Sequence, residues 1–99
     1  MKTGNSVYKI PQGKLLKVKL TWDETTQVIH VVQLYGDFFI HPETSLELIE
    51  QALRSVLLEA DLIAQAVSKV VETYEIQLFG ITPEGIAQGI LLCIGEKTV

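Results

Sequence analysis

Ninety-nine residues supply one domain, and a chain this short buries only about two-thirds of its unfolded surface, so its core is modest. The net charge of −4 conceals a cluster of Lys2, Lys9, Lys14, Lys17 and Lys19 with no acid before Asp23, whereas the twelve acids that follow meet only Arg54, Lys69 and Lys97. That imbalance excludes general nucleic-acid binding, which needs broad phosphate neutralisation, and suits a single anionic ligand or an acidic protein partner.

The first segment, "SVYKIP", reads as a short edge strand that tolerates Pro11 at its end. "KIPQGK" follows as a tight turn set by Pro11 and Gly13, with Lys9 and Lys14 at its two ends. It is not a Walker loop: Tyr8 stands where the first glycine would be, Leu15 replaces the magnesium-binding hydroxyl, and a strand follows where a helix belongs. The two ammonium groups either guard a sheet edge or reach a phosphate or a carboxylate. "KLLKVKLTW" then alternates, with Leu16, Val18, Leu20 and Trp22 on one face and the lysines on the other. "DETTQ" supplies a polar turn, and "VIHVVQLY" returns as the second arm of an antiparallel hairpin. Because this arm carries apolar residues on both faces, it is expected in the middle of the sheet, with His30 as a structural, hydrogen-bonded histidine.

In "GDFFIHPE" the strand pattern ends. Gly36 permits a positive φ, Asp37 shapes the turn, and Phe38 and Phe39 point opposite ways, so one anchors the core and the other lies on a partner-facing surface. The period then changes. Leu46, Ile49, Leu53, Val56 and Leu57 form a helical stripe that starts either at a Thr44–Glu47 capping box or at Pro42 after His41. Leu62, Ile63, Ala66, Val67, Val70, Val71 and Tyr74 form a second stripe, with Asp61 as N-cap. A third helix opens with Thr82 as N-cap and Pro83 behind it, and its Gly85 and Gly89 permit close backbone packing. Strands first and helices after give an α+β fold over residues 1–99. It has a small antiparallel sheet of two to three strands, begun by the N-terminal hairpin and covered on one face by about three helices.

The residues offer little for catalysis. His30, His41 and Cys93 follow no metal-ligand spacing, so no metal is expected, and Cys93 in "GILLCIG" reads as a small buried side chain. A single cysteine makes no intramolecular disulfide. "MKTGNSVYK" lacks the apolar core of a signal peptide, and no apolar run has the length of a membrane span, so a cytoplasmic protein is expected.

Taken together, "KIPQGKLLKVKL", a hairpin, "VVQLYGDFFIHPE" and an amphipathic helix resemble the C-terminal accessory domain of lipoate–protein ligases, here in the form of the separate small subunit of a bipartite ligase. Lys9, Pro11, Gly13 and Lys14 match the family's first motif, Gly36 to Phe39 the second, and Gly80 to Glu84 the third. Gln12 and Gly85 depart from it, at positions where a second glycine and an acid are common. The resemblance runs from Tyr8 to the last helix.

It implies a subunit that is not catalytic by itself. ATP, magnesium and lipoate are then expected on a large catalytic subunit, bound as a heterodimer, which makes lipoyl-AMP and passes the lipoyl group to a lysine of an acceptor domain. Lys14, with Lys9 secondary, is expected to face the adenylate phosphate or its covering loop, and Pro11, Gly13, Asp37, Phe38 and Phe39 to contact the partner. The alternative is a stand-alone homo-oligomeric module binding an acidic partner or small anion.

Overall fold

In the computed structural model, which describes residues 1–95, the alternating segments form β1 (Lys2–Lys9), β2 (Leu15–Asp23) and β3 (Val28–Gly36), antiparallel in that order. Lys97 lies outside the described residues. Leu16, Val18, Leu20 and Trp22 of β2 all turn into the core, while Lys17 and Lys19 between them are exposed. Each such burial contributes about 1.5–3 kcal/mol relative to exposure. The turn between β2 and β3 closes on Asp23, whose carboxylate accepts the Thr25 and Thr26 amides at 2.8 and 3.3 Å. Those two bonds hold its carboxyl below the usual carboxylate range.

β3 is an edge strand, not the central one expected. Its apolar residues occupy both parities because the ladder slips: Thr21 pairs with Val31 but Trp22 with Ile29, leaving His30 as the extra residue of a bulge. The slip lets Ile29 join Val32 and Leu34 in the core and leaves His30 exposed, not a hydrogen-bonded interior histidine. The outer edge of β3 is blunted by the chain itself. Ile29 exchanges backbone bonds with Val56 (2.9 Å) and Ser55 (2.7 Å), Leu58 donates to the Gln27 carbonyl, and the Leu34 amide donates to Glu50 Oε2 at 2.8 Å.

Partial burial pushes the Glu50 carboxyl above the ordinary glutamate range, the Leu34 bond opposes that shift, and Glu47 adds to it. A raised folded pKa means that folding favours the protonated form. Stability from this group is therefore present below the unfolded pKa and lost as pH rises through the folded one. Glu50→Gln keeps an acceptor for Leu34 and removes the charge. Its melting temperature should match the parent near pH 4 and exceed it increasingly towards pH 7 in thermal melts across that range.

The helices are α1 (Ser45–Ala52), α2 (Ala60–Thr73) and α3 (Pro83–Gly95). α3 crosses β1 and β2, α1 lies along β3, and α2 packs on both helices, so the α+β arrangement holds, with one core between sheet and helices. Two expected helix starts differ. Thr44 is the N-cap residue of α1 but makes no side-chain cap bond, and Pro42 lies outside the helix in a turn that ends with Ser45 donating to its carbonyl at 2.9 Å. Glu59, not Asp61, occupies the N-cap of α2. Val56 and Leu57 fall beyond α1, since Ser55 takes φ 68° and turns the chain back to β3.

The start of α3 is as expected: Thr82 Oγ1 accepts the Gly85 amide at 2.9 Å. Its glycines do admit close packing. A Cβ on Gly85 would sit 2.8 Å from Ile10 Cδ1, and one on Gly89 2.8 Å from Leu16 Cδ2. Cys93, 2% exposed, belongs to the core. A second, two-stranded sheet escaped the sequence reading: β4 (Phe39–His41) pairs antiparallel with β5 (Gln77–Phe79).

Candidate functional site

The three motif segments, far apart in the chain, meet at one corner. Between β1 and β2 the lysine turn closes by Gly13 donating to the Ile10 carbonyl at 2.8 Å and Ile10 to the Lys14 carbonyl at 3.2 Å. Ile10, 3% exposed, pins it to the core. The Lys14 amide then donates to the carbonyl of Gly80 at 2.7 Å, tying this turn to the segment that enters α3. Gly80 has φ 90°, and a Cβ there would run into the Lys14 stem. From below, a Cβ on Gly13 would sit 2.6 Å from the same carbonyl. The glycines let the two loops lie backbone to backbone.

The Gly-Asp-Phe-Phe segment joins from the other side. The Asp37 amide donates to the Leu15 carbonyl at 3.0 Å, one residue beyond Lys14. Gly36 holds φ 142°, and a Cβ there would fall on that same carbonyl oxygen. Asp37 thus shapes the turn through its backbone; its carboxylate is exposed and takes no hydrogen bond among the described residues. Beyond it, Phe39 stands opposite Phe79 in the β4–β5 ladder, which places the second and third motifs side by side.

Phe38 packs against the core, whereas Phe39 is 72% exposed and its neighbour Phe79 51% exposed. These two rings, with His41, Glu43 and Gln77, border an open hollow of about 530 Å³. Phe79 was not singled out from the sequence. The available signal was an aromatic directly before the Gly-Ile-Thr-Pro-Glu motif. The two phenylalanines should separate by mutation. Phe38→Ala should cost about 2–3 kcal/mol of stability, and Phe39→Ala no more than about 0.5 kcal/mol, as read by urea denaturation.

Lys9 and Lys14 are both exposed. Among the described residues the one ion pair joins Lys2 to Glu24 at 3.4 Å, so neither turn lysine is neutralised by a carboxylate. Lys9 Nζ donates to the Ile10 carbonyl at 3.1 Å, while Lys14, whose stem lies against Gly80, has no acceptor for its ammonium among the described residues. Pro11 is exposed at the tip, and Gly13 is half-buried behind it. The arrangement can present positive charge and aromatic surface on a braced loop. Among the described residues, no group of three or more His, Cys, Asp or Glu side chains is placed to hold a metal ion. Among the same residues, no helix is long and apolar enough to cross a membrane.

No family model and no curated protein sequence matches the chain. Among solved structures it is similar to a chain from a structural analysis of an archaeal lipoylation system, described as a bi-partite lipoate protein ligase and its E2 lipoyl domain from Thermoplasma acidophilum. The TM-score is 0.68 and the identity 26%, over 91% of this chain and 93% of that one. The fold therefore agrees with the resemblance that the three motifs carry, to a bipartite lipoate–protein ligase system.

Proposed function

We propose that this chain is the non-catalytic subunit of a two-chain lipoate–protein ligase. It docks on a large catalytic subunit in the cytoplasm and is required with it for ATP-dependent activation of lipoate to lipoyl-AMP. The lipoyl group then passes to a lysine of an acceptor domain. One observation carries the reading: the three segments that resemble the ligase accessory domain are bonded into a single corner, in a fold similar to a chain of a bipartite ligase system.

ATP, magnesium and lipoate belong to the catalytic subunit in this scheme. The small subunit adds positive charge. Lys14, with Lys9 behind it, faces the phosphate of the adenylate or the loop that covers it, where charge develops during adenylyl transfer. A braced turn suits that role, because it fixes the Lys14 backbone and stem before reaction and leaves only the end of the side chain to settle.

Reconstitution tests the proposal. The catalytic subunit is supplied with lipoate, ATP and magnesium and assayed for lipoyl-AMP with and without this chain. Stimulation together with a stable heterodimer on sizing is the expected result. No stimulation overturns it, and a stable homo-oligomer that ignores the catalytic subunit would favour the stand-alone module instead.

A further inference from the structure

The three-stranded sheet keeps its helices on one side only, and no element among the described residues covers the other. The ladder fixes what that open face presents. Val7, Lys17 and Tyr35 form one cross-strand row, and Asn5, Lys19 and Gln33 the next. Val7 is 63% and Tyr35 49% exposed, apolar side chains left in water on the two outer strands. Lys17 lies between them on the central strand with Lys19 next along it, and among the described residues neither has a carboxylate within ion-pair distance. The rows themselves carry no acid, whereas Glu47, Glu50, Asp61 and Glu72 sit on the helices. The face thus has a basic middle strand with an apolar residue on either side, on a chain whose helices carry acids.

We propose that this open sheet face is a docking surface for the catalytic subunit, and that it takes a patch of complementary design, carboxylates set between apolar groups. The inference rests on the two-chain reading above. Charge complementarity selects the occupant. A second copy stacked face to face would set Lys17 and Lys19 against the same lysines. Packing this face on another copy's acidic helices is a head-to-tail contact, which propagates unless its rotation closes a ring. Three strands the length of β2 offer roughly 400 Å² in projection, about half of what one partner contributes to a standard interface. The sheet face adjoins the corner through the Lys9–Leu15 pair, and the exposed Phe39 and Phe79 can extend the contact there.

Titration calorimetry against the purified catalytic subunit, at 50 and 300 mM NaCl, tests this. The parent chain should bind, and more weakly at the higher salt. Lys17→Glu/Lys19→Glu should bind at least tenfold more weakly at 50 mM, with little remaining salt dependence. Val7→Ser/Tyr35→Ser should lose about tenfold at both salt concentrations. Thermal melts report whether each variant is folded, and Lys17→Gln/Lys19→Gln serves as the milder variant should the reversal unfold the sheet, with a smaller loss in the same direction. Parent binding with unchanged affinity in the folded variants overturns the docking face and leaves the two-chain reading standing. Sensitivity to the lysines but not to Val7 and Tyr35 also overturns it, since long-range attraction then suffices. Absence of parent binding overturns both.

Discussion

Replacing Lys14 with methionine is expected to slow lipoyl-AMP formation by the reconstituted ligase about 100-fold while leaving the two subunits bound. Methionine keeps an unbranched stem over Gly80, so the bond from the Lys14 amide to the Gly80 carbonyl persists and only the charge is lost. Removal of one fixed donor at a site of developing negative charge typically costs about 10²–10³ in rate. Lys14→Arg should recover part of the rate, because the charge returns with a different donor geometry. Lys9→Met should cost less than about tenfold, because its ammonium is already engaged by the Ile10 carbonyl. Single-turnover adenylation with calorimetric binding in parallel reads all three. A Lys14→Met subunit that binds and stimulates fully removes the phosphate role.

Gly36→Ala should destabilise the fold by about 3 kcal/mol, a large share of the roughly 5–15 kcal/mol that holds a domain together. The φ of 142° is open to glycine and strained for alanine, and the added Cβ would strike the Leu15 carbonyl oxygen, a backbone atom that cannot swing aside. For a chain of this size the loss corresponds to a fall in melting temperature of about 15 °C. Gly89→Ala is the informative comparison. Its Cβ would meet the end of the Leu16 side chain at 2.8 Å, which can shift, and alanine gains about 1 kcal/mol of helix propensity. Melts should show a much smaller change there. Equal losses at the two sites would mean that the corner is no more constrained than a helix contact.

Much of the fold was legible where the pattern is long. Nine residues of clean alternation in β2 and the Thr82-Pro83 helix start left one sensible reading each. The position of β3 was misread because a bulge and a doubly covered strand produce the same mixture of apolar parities, and the extra residue at His30 shows only in the pairing. The β4–β5 ribbon was missed because three residues are too few to display a period. The candidate site was legible as three separate motifs. Their convergence was not, since it rests on amide–carbonyl bonds such as Lys14 to Gly80, which use groups every residue possesses.

That bonding pattern has a practical side. The loops around Gly13, Asp37 and Gly80 are bonded to one another as well as to themselves, through Lys14 to Gly80 and Asp37 to Leu15. Lengthening one of them therefore displaces its neighbours. The Asp23–Gln27 turn, by contrast, is closed by its own groups, Asp23 holding the Thr25, Thr26 and Gln27 amides, and among the described residues it is tied outward only by Leu58 at the Gln27 carbonyl and Lys2 at Glu24. A fluorophore, affinity tag or inserted peptide belongs at Thr25, where the disturbance stays local.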